Sequence, residues 1–161
     1  MNVQDVLAAQ AGDTEAFGRL LAEHQDRALA CARAWLRDPE EARDAAQDAL
    51  LDAMLRLPQL RDPLAFPAWL RRVVVKHCDR RTRGGQRPAP LSAAPEGVGG
   101  DLEQAALHRD ARAAVWAAVE ALPEHQRVVV ALHYLAEAPQ DEVAVLLGLP
   151  LSTVKKRLHD A

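Results

Sequence analysis

Apolar residues recur along this chain at helical spacing, without the strict alternation that marks a half-buried strand. In "GDTEAFGRLLAEHQDRALACARAWL", residues 12–36, the positions Phe17, Leu20, Leu21, Ala28, Cys31, Ala32 and Trp35 form one stripe, and Asp13 or Thr14 is placed to cap its start. The next run opens with Asp38 as cap, Pro39 pre-set for the first helical position and Glu41 three residues after the cap, and it stops at Pro58. Its apolar face carries Ala42, Ala46, Ala49, Leu50, Ala53 and Met54. A further helix starts near Pro67 and continues through "AWLRRVVVKHCDRRTR". Three or four helices should pack together in this half.

The periodicity fails between Gly84 and Gly100, where "GGQRPAPLSAAPEGVGG" crowds Gly, Pro, Ser and Ala in the manner of a flexible tether. Beyond it a helix is expected from about Asp101 to Ala121, carrying Val115, Trp116 and Val119, and another starts at Pro123. Two short helices then flank "GLP", the second beginning near Ser152 or Thr153 as caps, with Val154 and Leu158 spaced to anchor it. A glycine turn that presents the second helix outward is the helix-turn-helix layout. The pattern predicts an all-α chain of two small helical domains, residues 1–83 and 101–161, joined by a flexible linker over 84–100.

Composition agrees with this and excludes several functions. Of 161 residues 49% are hydrophobic but only 4% aromatic, and Ala, Leu and Val dominate, which favours helices. The N-terminus "MNVQDVLAAQ" lacks a basic start followed by an apolar run, and no apolar stretch is long enough to span a bilayer, so a cytoplasmic location without membrane insertion is expected. Cys31 and Cys78 both lie on apolar faces and read as reduced core residues. No zinc or haem spacing, phosphate-cradling loop or nucleophile motif is present, so neither a metal, a cofactor nor an enzyme is expected.

Charge supplies the candidate chemistry. The net charge is −3, yet residues 66–84 set Arg71, Arg72, Lys76, Arg80, Arg81 and Arg83 against one acid, Asp79. At 100° per residue Trp69, Arg72, Lys76, Arg80 and Arg83 share a stripe, while Leu70, Val73, Val74 and His77 face a core. Cations neutralise phosphates and an indole can stack on an unpaired base, so the stripe suits single-stranded or melting nucleic acid. Trp69 keeps two readings, core ring or stacking platform. His77, on the apolar side, reads as a core histidine rather than a catalytic group. The preceding helix carries an acidic stripe, Glu41, Asp44, Asp48 and Asp52, with Gln47 beside it. Such a stripe repels DNA; either it is a solvated face or its partner is a basic protein surface. On the last helix Ser152, Thr153, Lys155, Lys156, Arg157 and His159 offer contacts to phosphates and base edges.

Taken together these segments resemble the extracytoplasmic-function sigma factors, over nearly the whole chain. "EEARDAAQDALLDAM" is similar to the family's acidic segment D-x-x-D-x-x-Q-E-x-F-x-x-A-W: Asp44, Gln47 and Ala53 match, Glu41 and Asp48 exchange acid for acid, and Leu50 and Met54 replace aromatics. "FPAWLRRVVVKHCDRRTR" resembles F-x-x-W-L-x-x-I-x-x-N, with Lys76 at the Asn position. "ALPEHQRVVVALHYLAEAPQDEVAVLLGLPLSTVKKRL" resembles L-P-x-x-x-R-x-V followed by E-I-A-x-x-L-G-x-P-x-G-T-V-K-S-R-L. The resemblance implies that the first domain grips core RNA polymerase through Glu41, Asp44, Gln47, Asp48 and Leu51. It implies that Trp69, Arg72, Lys76, Arg80 and Arg83 follow the melting minus-10 element, that residues 152–159 read the minus-35 element, and that the linker threads near the RNA path. Lys76 supplies charge without the paired donor and acceptor of Asn. An anti-sigma factor is a further partner that the resemblance implies; an appended regulatory domain is the alternative, since the family normally continues past the position of Ala161 and this chain reads as truncated there. The runner-up is a stand-alone helix-turn-helix transcriptional regulator, which binds duplex DNA without polymerase. A third class, a regulatory protein that binds another protein and no DNA, leaves the basic stripe idle.

Overall fold

Helix starts follow the capping chemistry. The computed structural model describes residues 2–84 and 102–161, with side chains described for 2–82 and 111–161. Asp13 accepts the Glu15 and Ala16 amides at 2.9 and 3.0 Å, opening helix α2 (Thr14–Trp35), and Asp38 accepts those of Glu40 and Glu41, opening α3 (Pro39–Arg56) with Pro39 in its first turn. Before them lies a helix the pattern did not predict, α1 (Val3–Gln10), capped by Asn2 and too short for its periodicity to stand out. Two 3₁₀ turns, Leu57–Gln59 and Pro63–Ala65, lead into α4 (Phe66–Gly84). The second half contains α5 (Leu102–Glu120) and α6 (Glu124–Val130), which runs on as a π turn over Ala131–Leu135, then α7 (Gln140–Leu147) and α8 (Leu151–His159). Among the described residues every regular element is helical. Apart from Gly84 at the end of α4, the linker read over 84–100 lies outside the described residues.

Two details differ from expectation. Helix α8 begins at Leu151, and neither Ser152 nor Thr153 caps it; Pro150, at φ −60° and ψ 141°, supplies the extended entry and leaves both hydroxyl residues in the first turn. Val115 is exposed, because α5 rests on its neighbours through Trp116 and Val119. The turn between α7 and α8 is as read: Gly148 has φ +62°, which only glycine adopts without strain.

Small side chains let the helices approach closely. Ala28, Ala30, Ala32 and Ala34 of α2 and Ala42, Ala45, Ala46 and Ala49 of α3 are all buried. One cluster, Val6, Leu20, Ala53, Leu57, Phe66 and Leu70, belongs to the first half alone. The other runs from α2, α3 and α4 without a break into the second half, through Val129, Ala131, Leu132, Ala136, Val143 and Val154. The two helical domains are thus packed face to face. Cys31 and Cys78 are buried free thiols within this shared core. Burial pushes Cys78 up to about 12 and Cys31 higher still, which removes both as nucleophiles.

His24 is a buried polar group in the first half. Its Nδ1 lies 3.1 Å from the Leu20 carbonyl, its ring meets Phe66 edge-on at 5.1 Å, and Nε2 has no hydrogen-bond partner among the described residues. Burial holds its pKa below the ordinary histidine value, the Leu20 carbonyl and Glu23 opposing and Arg27 and the N-terminus assisting. The unfolded chain therefore takes up a proton near pH 6.5 that the folded chain refuses. Stability should be full above pH 6.5 and decline as pH falls through that value toward the depressed one. Denaturant titrations between pH 7.5 and 5 should show this decline in the wild type and a smaller one in His24→Met; equal slopes would rule out His24 as its source.

Candidate nucleic-acid and partner interfaces

The orientation of α4 is set by its buried side, Phe66, Leu70, Val73, Val74 and Cys78. That leaves Arg72, Lys76 and Arg80 exposed on the outer side, and among the described residues no acid pairs with any of them. Other arginines of the same run are consumed within the protein. Arg81 pairs with Asp48 at 2.6 Å and reaches Asp44 at 3.8 Å, while Arg71 binds Glu142. Trp69 is half-buried, packs against both core clusters and lies 6.0 Å from Phe66, ring to ring. The side chain of Arg83 lies outside the described residues.

The acidic stripe of α3 divides in two. Glu41 is exposed, and Asp44, Gln47 and Asp48 are half-exposed along the outer edge. Asp52, one turn further on, is largely covered and accepts hydrogen bonds from Arg56 Nε at 2.5 Å and from His77 Nε2 at 3.1 Å. Burial opposes its charge, but these two hydrogen bonds outweigh burial and hold its carboxyl below the usual range. His77 is therefore not the core histidine that its apolar side suggested. It stands at the edge of that side, where α3 brings a carboxylate to it.

Met54 also departs from its expected place in the core. Leu51 and Met54 are each 50% exposed and, with Leu50 of α3 and Phe17, Leu21 and Leu29 of α2, line an apolar groove of about 870 Å³. Arg43 and Gln47 stand on its rim beside the acidic edge. A signal was present in "ALLDAML", whose apolar residues spread past the alanine face.

At the other end Val143, Ala144 and Val154 anchor the helix-turn-helix. Ser152, Lys155, Lys156 and His159 are exposed, Thr153 and Arg157 half-exposed, and among the described residues none of the three cations has an acid partner. Ser152, Thr153, Lys156 and Arg157 line one side of a cleft of about 570 Å³ whose other side is His125 and Gln126 of α6. Gln126 bonds the Asp160 carbonyl at 2.9 Å and ties α6 to the end of α8. His125 and Gln126 were invisible to the sequence reading, since they lie 25 or more positions before α8 and no periodicity links them to it.

Comparison with known proteins assigns these faces a family. Residues 20–87 match Sigma-70 region 2 and residues 112–161 match Sigma-70 region 4. The chain is 35% identical over 158 residues to the ECF RNA polymerase sigma factor SigM of Mycobacterium tuberculosis, covering 97% of this chain and 78% of SigM. This chain belongs to the extracytoplasmic-function sigma factors. As a sigma factor it directs RNA polymerase to promoters at transcription initiation, and the stand-alone regulator is not favoured. It is 34% identical to the probable RNA polymerase sigma factor RfaY of Xanthomonas campestris, of whose length it spans 40%. Its fold is similar to that of CnrH in complex with the cytosolic domain of CnrY, with a TM-score of 0.61, 25% identity, and coverage of 99% of this chain and 90% of that one. No described helix of this sigma factor is long and apolar enough to cross a membrane.

Proposed function

We propose that three faces divide the work of this sigma factor. The outer edge of α3, with Glu41, Asp44, Gln47, Asp48 and Leu51, takes a basic surface of core polymerase, and the adjoining apolar groove receives the side chains that accompany it. Arg72, Lys76 and Arg80, extended by Arg83, follow the melted minus-10 strand. Helix α8 reads the minus-35 element through Ser152, Thr153, Lys155, Lys156, Arg157 and His159, with His125 and Gln126 closing the cleft beside it. The observation that carries this reading is the sorting of cations: among the described residues Arg72, Lys76, Arg80, Lys155, Lys156 and Arg157 lack an acid partner, while Arg71 and Arg81 have one. Uncompensated cations side by side repel one another, and a polyanion relieves that cost. The site of action is then the cytoplasm, where polymerase and promoter meet. The likeness to CnrH bound to the cytosolic domain of CnrY supports an anti-sigma protein as a further partner.

The polymerase face is tested at Asp48. Asp48→Arg removes an acid from the rim and sets a second cation against Arg81, so affinity for core polymerase should fall about tenfold or more. Arg81→Gln, which frees Asp48, should bind at least as tightly as the wild type. Titration of labelled protein with core polymerase reads both, and wild-type affinity of Asp48→Arg would remove the acidic edge from the interface.

A further inference from the structure

Gln10 is the last residue of α1, and its side chain crosses to the stretch that follows α3. Its Nε2 donates to the Leu57 carbonyl at 3.1 Å and to the Leu60 carbonyl at 2.7 Å, 47 and 50 positions further on. Two carbonyls can be served only by the amide nitrogen, so the partners themselves fix which way the amide points, and both its hydrogens are used. The Leu57 carbonyl also accepts the Leu60 amide at 3.0 Å, whereas among the described residues the Leu60 carbonyl has only the bond from Gln10. The arm that makes this contact is itself held. Val6 is fully buried, Arg19 grips Asp5 through Nε at 2.9 Å and Nη2 at 2.6 Å, and the Asp13 amide closes the turn behind Gln10 on the Ala8 carbonyl at 3.0 Å.

What Gln10 holds is the joint between the two working helices of the first half, residues 57–65, which lead from the end of α3 to the start of α4. Away from that joint the helices are tied directly, by Asp52 to His77 and by Asp48 to Arg81. Near it, among the described residues, no side-chain hydrogen bond or ion pair joins α3 to α4. Leu57, Phe66 and Leu70 meet there through apolar contact, which is not directional. Hydrogen bonds are directional, so the pair from α1 constrains how α4 leaves the joint.

We propose that Gln10 is a positioning residue for promoter opening: from α1 it fixes the joint between the helix that meets polymerase and the helix that follows the melted strand, and so keeps the cations of α4 in register with the polymerase face. This rests on the reading of α3 and α4 above. Gln10 stands before residue 20, where the match to Sigma-70 region 2 begins. Opening is more sensitive to an error at the joint than either contact alone. A small tilt of α4 leaves both surfaces whole, but opening requires polymerase and strand to be held at once in one fixed relation.

Gln10→Leu keeps much of the side chain's bulk and removes both donors. With core polymerase saturating, its permanganate reactivity at a duplex promoter should fall about tenfold, the scale of two ordinary hydrogen bonds. On a template already mismatched over the minus-10 element the strands need no melting, and the variant should transcribe like wild type. Gln10→Lys, whose ammonium can donate to both carbonyls, should recover opening of the duplex. A weakened fold would lower transcription from both templates alike, and that pattern overturns the positioning role, as does wild-type duplex opening by Gln10→Leu. Hydrogen exchange of the free protein reads the joint itself: the Leu60 amide should exchange several-fold faster in Gln10→Leu while the amides of α2 are unchanged, and an unchanged Leu60 rate overturns the tie. If Gln10→Leu loses helical circular dichroism, Gln10→Ala replaces it with the same criteria, and failure of both to fold assigns Gln10 to the fold alone. The Arg72, Lys76, Arg80 triple-alanine variant, run in the same assay, separates the two readings. Normal opening by the triple variant defeats the reading of α4 and leaves the exchange rate to decide the tie, whereas normal opening by Gln10→Leu beside an inactive triple variant defeats the positioning role alone.

Discussion

Replacing Arg72, Lys76 and Arg80 together by alanine is expected to abolish promoter opening while leaving affinity for core polymerase nearly unchanged. All three are exposed and, among the described residues, make no ion pair, so their loss costs the folded chain little and its thermal midpoint should shift little. On a melted strand each cation that meets a phosphate displaces about 0.7 of a counterion. The slope of log affinity against log salt should therefore fall by about 2 for the triple variant. Permanganate footprinting reads opening and a salt series reads the slope. Wild-type opening by the triple variant would end the assignment of this face to DNA.

Trp69→Ala is expected to cost about 3 kcal/mol of stability, the range for truncating a packed aromatic. For a chain of this size that lowers the thermal midpoint by roughly 10 °C. The ring touches both hydrophobic clusters and neighbours Phe66, so its removal leaves a cavity where they meet. A melt of the variant beside footprinting of its open complex distinguishes the two readings of this residue. A variant as stable as wild type that binds polymerase but opens no promoter would return Trp69 to the bases.

Much of this was legible in local pattern. Caps at Asp13 and Asp38, the left-handed Gly148 and the outward Arg72, Lys76 and Arg80 all follow from residues within a few turns of one another. A helix fixes its own faces at 100° per residue, so one segment suffices to predict which side chains point together. The family motifs added the order of the segments and the roles they imply.

What the pattern left open depended on a second helix. Two arginines of one basic run, Arg71 and Arg81, are spent on acids 71 and 33 positions away, while Arg72, Lys76 and Arg80 have no acid partner among the described residues. His77 and Met54 sit at the margins of their helical faces, where the angle of the adjacent helix decides between core and surface; one gained a carboxylate and the other a groove. The tether composition predicted two domains but not their closure. Local sequence determined the helices and the charge each face carries, because backbone hydrogen bonds and side-chain spacing act within a turn or two. Which charges are cancelled, and which are left exposed on the surface, was decided only by tertiary packing, because an ion pair forms where the fold brings opposite charges within about 4 Å, whatever their separation along the chain.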